Sequence, residues 1–208
     1  MHEAALAIRY GADALGLVGN MPSGPGPIED ELITAIVKAI HPPIASFLLT
    51  SRQSAAGIID HVKTTGVNTV QIVDELSEGT YEQIREAVPH LKIVQVIHVT
   101  GEESIKDALD VHEKVDSILL DSGNPKAALK TLGGTGNTHD WDISRKIVQS
   151  VKVPVFLAGG LSSSNVTEAI NLVKPFGVDV CSGVRTNGPL DELKLKSFMA
   201  AVGGVQKS

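Results

Sequence analysis

The sequence holds a single cysteine, Cys181, among 208 residues. No internal disulfide can form, and one isolated thiol points to a reducing compartment. Aromatic residues make up only 3% of the chain, so Val, Ile, Leu and Ala must fill the core. Basic residues are outnumbered, 18 Lys and Arg against 24 Asp and Glu, for a net charge of −6. With no basic cluster to offset it, that balance argues against binding to nucleic acid or to an anionic membrane. No apolar run is long enough to span a bilayer. The opening residues Met1-His-Glu-Ala-Ala are not a basic segment ahead of an apolar run, so no secretory leader is expected. The seven histidines and one cysteine show no metal-ligand spacing. What remains is the composition of a cytoplasmic metabolic protein, 42% hydrophobic and 20% charged.

What is present is a rhythm. Short apolar runs at about 12–18, 44–49, 67–73, 91–99, 115–121, 153–158 and 178–182 alternate with amphipathic segments. The latter read as helices over 2–10, 28–40, 52–65, 80–88, 102–112, 140–151, 164–173 and 191–202. Gly11 ends the first, acids at Glu29, Asp30 and Glu31 suit the start of the second, and Ser51 is placed to cap the third. Continuous apolar runs suit strands buried on both faces. A regular βα alternation of this kind favours a closed TIM-type (β/α) barrel over an open doubly wound sheet, with residues 1–208 as one domain. Only seven strands are recognisable, and a helix stands where such a barrel begins with a strand. The expectation is a barrel lacking its first strand, or one whose first strand lies upstream of Met1. Two open sheet edges would follow, which admit pairing between subunits as a homodimer.

Two segments carry the chemistry. The run from Val153 to Leu161 ends in Ala-Gly-Gly-Leu, and the run from Gly177 to Val184 ends in Cys-Ser-Gly-Val. Each is an apolar strand closing on small residues, as neighbouring barrel strands do where their loops hold a phosphate. Backbone N–H groups can approach an anion there because no Cβ intervenes. Gly159, Gly160, Ser182 and Gly183 are therefore the candidate phosphate-binding residues. Plain strand-to-helix turn chemistry would use the same residues; two such turns on adjacent strands favour the functional reading. Asp121 ends another strand, where barrel active sites are built.

Several motifs together resemble the phosphoribosylanthranilate isomerase family. They are Leu157-Ala-Gly-Gly-Leu161, Asn165-Val166, Gly177 to Val184, Leu119-Leu-Asp-Ser122, Gly133-Gly-Thr-Gly136, Asp140-Trp141, and Tyr10 to Gly16, which is similar to that family's second strand. The similarity covers nearly the whole chain and is strongest from about Ser117 onward. It implies a (β/α)₈ isomerase of tryptophan biosynthesis with no metal or organic cofactor. The implied reaction is an Amadori rearrangement of a phosphorylated aminoaldose to an aminoketose. An acid protonates the ring oxygen as the furanose opens, and a base removes the proton from sugar C2. The resemblance makes Asp121 the acid, Gly134, Thr135 and Gly136 part of a substrate-binding loop, and Asp179 a contact to the anthranilate portion.

The departures are specific. The family's base is a cysteine in a Lys-Ile-Cys-Gly strand that opens the barrel, and this sequence starts after that point. Cys181 falls where the family usually has serine. Gly26 stands where the family carries the arginine of a Ser-Pro-Arg loop, Gln71-Ile-Val-Asp74 replaces Gln-Leu-His-Gly, and Arg185 replaces a glutamate. His98, His139, Asp74 and Glu75 are the titratable residues near strand ends or the Gly-rich loop that could substitute for the base. Two other readings stay open: a divergent barrel enzyme acting on another sugar phosphate, and a non-catalytic paralogue that binds a phosphorylated metabolite.

Overall fold

A computed structural model describes residues 1–21, 26–123 and 139–205. Two compact units divide them. The first takes residues 1–22, 26–96 and 114–116. It runs α1 (His2–Arg9), β1 (Ala14–Val18), α2 (Asp30–Ala39), β2 (Ala45–Thr50), α3 (Ala55–Thr65), β3 (Thr69–Ile72), α4 (Tyr81–Ala87) and most of β4 (Lys92–His98). β1 pairs parallel with β2, β2 with β3 and β3 with β4. The register sets Leu17 beside Leu48, Leu48 beside Val70 and Val70 beside Ile93. These four side chains are buried and make one apolar row across the sheet. Helix α2 packs on α3, and α3 on α4. The expected continuous burial holds best in β3, where every residue is buried.

The second unit covers 97–113 and 117–208, of which the described residues form α5 (Glu103–Val111), β5 (Ser117–Asp121), α6 (Trp141–Ser150), β6 (Val155–Leu157), α7 (Val166–Val173), β7 (Gly177–Val178), a 3-10 turn (Ser182–Val184) and α8 (Glu192–Gly203). Leu120 pairs with Leu157, and Leu157 with Val178. Ile118, Leu120 and Leu157 are wholly buried. Among the described residues, β1 has β2 as its one strand neighbour and β7 has β6.

Local chemistry explains most boundaries. Thr80 and Gln83 form a reciprocal capping box on α4. Asp140 caps α6 by accepting from the N–H groups of Asp142 and Ile143, a contribution of about 1 kcal/mol for a good cap. Two expectations need correction. Ser51 does not cap α3; Ser54 does, its Oγ accepting from Gly57 N at 3.2 Å. Residues Gln53 to Ala55 instead bond to the segment near Glu78, with Ala55 N donating to Glu78 O at 2.8 Å, so the helix starts later. The strand expected over 178–182 is confined to Gly177–Val178. Asp179 N still donates to Leu157 O at 2.8 Å, after which the chain coils into the 3-10 turn.

Candidate functional site

All the described residues singled out for phosphate and acid chemistry lie in the second unit. They gather at the C-terminal ends of β5, β6 and β7, as expected for a barrel site. Asp121 is the last residue of β5 and is half-buried, while the four residues before it are buried. Its Oδ1 accepts from Ser122 N at 2.7 Å. The strand end is tied on both sides: Val99 N donates to Asp121 O at 2.9 Å, and Ala158 N to Leu120 O at 2.8 Å.

Beyond Ala158 the chain turns at Gly159 (φ 80°) and Gly160 (φ 64°), a region L-residues avoid. A Cβ on Gly159 would lie 2.9 Å from Ser122 N. Glycine there lets the β6 turn press against the residue that holds the Asp121 carboxylate. Asn165 then closes the turn, its Nδ2 donating to Gly160 O at 3.0 Å and its Oδ1 accepting from Ser162 N at 2.8 Å. The 3-10 turn meets the same segment, and a Cβ on Gly183 would fall on the Leu161 carbonyl oxygen. The candidate phosphate residues of the β6 turn and the 3-10 turn are thus brought together.

The segment after that turn is fastened by α8. Asp191 caps the helix by accepting from Leu193 N and Lys194 N, and its Oδ2 accepts from Thr186 Oγ1 at 2.7 Å. Asp191 N donates to Val184 O at 2.8 Å. Lys194 Nζ donates to Arg185 O at 2.8 Å.

The electrostatics separate the titratable groups. Asp179 is open to solvent on its surface, yet burial, followed by the charge of Asp121, pushes its carboxyl up to about 6. Burial also pushes the Cys181 thiol up, and the charge and hydrogen bond of Arg185 only partly oppose this. Cys181 is a thiol rather than a thiolate at neutral pH. Burial holds His139 below the usual histidine range, against the charges of Asp121 and Asp140. Its Nε2 lies 2.7 Å from Ser144 Oγ, and the Ser144 hydroxyl also reaches Asp140 O at 3.3 Å.

The other candidates are placed differently. His98 ends β4, and its carbonyl accepts from Ser104 Oγ at 3.3 Å. Asp74 is buried in the first unit and its Oδ1 accepts from Glu75 N at 2.9 Å. Gly134, Thr135 and Gly136 lie outside the described residues. Among the described residues no group of three or more His, Cys, Asp or Glu side chains could hold a metal ion, and no helix is long and apolar enough to cross a membrane. Sequence reasoning missed the part played by Ser122 as the residue on which Gly159 closes. The adjacent Asp121-Ser122 and Gly159-Gly160 pairs were visible, but not their approach.

Comparison with known proteins bears on the family and the fold. The family model described as N-(5'-phosphoribosyl)anthranilate (PRA) isomerase matches residues 34–201. N-(5'-phosphoribosyl)anthranilate isomerase 2 of Methanosarcina mazei is 38% identical over 96% of this chain and 88% of its own. The isomerase of Halobacterium salinarum is 36% identical over 94% and 88%. Among solved structures, phosphoribosyl anthranilate isomerase from Thermotoga maritima superposes with a TM-score of 0.81 at 28% identity, covering 98% of this chain and 94% of that one. A phosphoribosyl anthranilate isomerase in complex with reduced 1-(o-carboxyphenylamino)-1-deoxyribulose 5-phosphate gives a TM-score of 0.78 at 26% identity, covering 98% and 93%. The fold class is therefore the TIM-type (β/α) barrel, represented here by seven strands among the described residues. On sequence and on fold, this chain belongs to the phosphoribosylanthranilate isomerase family.

Proposed function

We propose that this chain carries out its family's reaction in tryptophan biosynthesis, the Amadori rearrangement of N-(5'-phosphoribosyl)anthranilate to the corresponding aminoketose phosphate. The observation that carries the site assignment is the closure of the Gly159 turn on Ser122, beside the Asp121 carboxylate. It supports reading the Asp121 carboxylate as a proton-transfer group beside the β6 turn. Gly159, Gly160, Ser182 and Gly183 would hold the phosphate through backbone N–H groups. Asp121 would protonate the furanose oxygen as the C1–O bond opens. A base then takes the C2 proton, the electron pair flows to the iminium, and the enol so formed settles as the ketone. Asp179 would face the anthranilate portion, and Gly134, Thr135 and Gly136 the sugar.

For the base, the local chemistry favours His139. If the Ser144 hydroxyl donates to Asp140 O, it accepts from Nε2–H of His139, which leaves a lone pair on Nδ1. That nitrogen is buried and has no hydrogen-bond partner among the described residues, so it would have to be uncovered before a neutral imidazole in that tautomer took the C2 proton. Finer points belong to the same proposal: one domain over 1–208, a cytoplasmic location, and pairing of two copies through open strand edges. Light scattering on the purified chain would check the last.

The test is turnover of phosphoribosylanthranilate, followed by loss of its fluorescence. The chain should convert it, and Asp121→Asn should lower kcat by about 10²–10⁴-fold, the usual share of a general acid. A wild-type rate in Asp121→Asn would remove Asp121 from the mechanism.

A further inference from the structure

One helix of the second unit starts without the side-chain cap that its sequence offers. Asn165 stands at the N-cap of α7, and asparagine is among the best residues for that place. Its side chain nevertheless makes no bond to the helix. Ser54, Thr80, Asp140 and Asp191, at the same place in α3, α4, α6 and α8, all do. A residue that breaks a local preference of this kind is expected where the fold needs it for something else.

The amide is turned back onto the chain ahead of it. Nδ2 donates to Gly160 O at 3.0 Å, and Oδ1 accepts from Ser162 N at 2.8 Å. A carbonyl oxygen can only accept and an N–H only donate, so the two partners fix which way round the amide lies. They belong to the two peptides that flank Leu161, and each end of one side chain holds one of them. The second peptide is confined from the other side as well, because Gly183 of the 3-10 turn leaves no room for a Cβ beside Leu161 O. The C=O and N–H of a trans peptide point opposite ways. Tying Gly160 O to Asn165 therefore sends Leu161 N–H away from Asn165. Leu161 is 2% exposed, and among the described residues its N–H has no hydrogen-bond partner. A buried N–H without a partner is rare in a folded protein, and this one lies in a turn already assigned to an anion.

We propose that Asn165 is a positioning residue for the substrate's phosphate, its amide setting both peptides around Leu161 so that Leu161 N–H joins the donors that hold the anion. The assignment rests on the reading of the β6 turn and the 3-10 turn as the phosphate site. A residue that merely started α7 could be replaced by serine, which caps as well as asparagine does. A positioning residue could not, because a serine hydroxyl stands one bond short of both Gly160 O and Ser162 N.

The experiment compares Asn165→Ala and Asn165→Ser with the unaltered chain. Inorganic phosphate is titrated by calorimetry and by NMR of the backbone amides, and kinetics are read with phosphoribosylanthranilate. In the unaltered chain, phosphate should shift the Leu161 amide and slow its exchange. Both variants should bind phosphate roughly tenfold or more weakly, the scale of one or two lost hydrogen bonds, and should lose the Leu161 response. Their Ser162 amide should exchange faster by a similar factor, with exchange at Leu120 unchanged. KM should rise about as much as the phosphate affinity falls, and kcat should change far less, the pattern of binding lost equally from substrate and transition state. Unaltered phosphate affinity and KM in both variants overturn the positioning role, even if Ser162 exchanges faster. A Leu161 amide that ignores phosphate in an unaltered chain that binds it overturns the part given to that N–H. An unaltered chain that binds no phosphate overturns the reading of the two turns and this proposal with it. Phosphate binding that falls as expected in a chain without turnover supports Asn165 and overturns the isomerase reading alone. Asn165→Ser, which keeps a cap on α7, decides the question if Asn165→Ala fails to fold.

Discussion

Gly159→Ala probes the closure on which the site assignment rests. At φ 80° an L-residue costs roughly 1–2 kcal/mol relative to its preferred regions. The new methyl would lie 2.9 Å from Ser122 N and 3.0 Å from both Ser122 Cβ and Oγ. Packed carbons prefer about 3.5–4.0 Å, so one side must give by roughly 0.5–1 Å. Overpacking of that kind costs typically about 1–3 kcal/mol. The sum is roughly 2–5 kcal/mol. At about 2–4 °C per kcal/mol for a chain of this size, Tm should fall by roughly 4–20 °C. Activity should suffer more than stability suggests, because Ser122 N–H holds Asp121 Oδ1 at 2.7 Å. A shift near 1 Å at a catalytic group lowers kcat/KM by about 10²-fold. Calorimetry and the fluorescence assay read the two effects separately. Adding Ser122→Gly removes the Cβ and Oγ contacts but not the one to N, and it leaves φ unchanged. The double variant should therefore regain part of the lost Tm and only part of the rate. A single variant with the Tm and kcat/KM of the unaltered chain would refute the closure. A double variant no better than the single would show that the backbone term accounts for the whole effect.

Gly183→Ala places a methyl on the Leu161 carbonyl oxygen. It should part the two turns and weaken phosphate binding at least tenfold, as read by calorimetric titration with inorganic phosphate; unchanged affinity would count against the paired turns. Asp179→Asn tests the carboxyl pushed up to about 6. Because the folded value exceeds the unfolded one of about 3.9, the native state holds this proton more tightly, and stability falls as pH rises from about 4 to 6. The variant should lose that slope and be the more stable above pH 6, while a kcat/KM limb near 6 that needs the charged form should vanish with it. Identical pH profiles in both proteins would sink this reading. Ile118→Ala removes a wholly buried side chain from β5 and should cost about 2–5 kcal/mol in denaturant unfolding; a loss below 1 kcal/mol would mean the strand is poorly packed.

Much of the architecture was legible because burial on both faces leaves a mark in composition. Runs such as Thr69–Ile72 could hardly be anything but interior strands. The helix starts near Thr80 and Asp140 were readable as changes of pattern, and the structure adds the side-chain caps that fix them. Ser51 misled because the segment after it is held by Glu78, a partner from a different turn. The short β7 misled because its ladder ends in a coil fastened by α8. At the site, Asp121 and the glycine turns were visible as motifs. The altered acidity of Asp179 was not, since it depends first on burial and then on the Asp121 charge, both set by folding. Asn165 stands where a helix cap is expected, and only the folded turn shows its amide given to Gly160 and Ser162 instead.

Asp191 does two things at once: it starts the last helix and takes the Thr186 hydroxyl just beyond the 3-10 turn. The turn's final shape therefore waits on residues near the end of the chain. The segment after the 3-10 turn is held by contacts that need α8 in place, whereas β5 and β6 pair without it. Loosening α8 would therefore free the segment after the 3-10 turn while leaving the β5–β6 ladder intact.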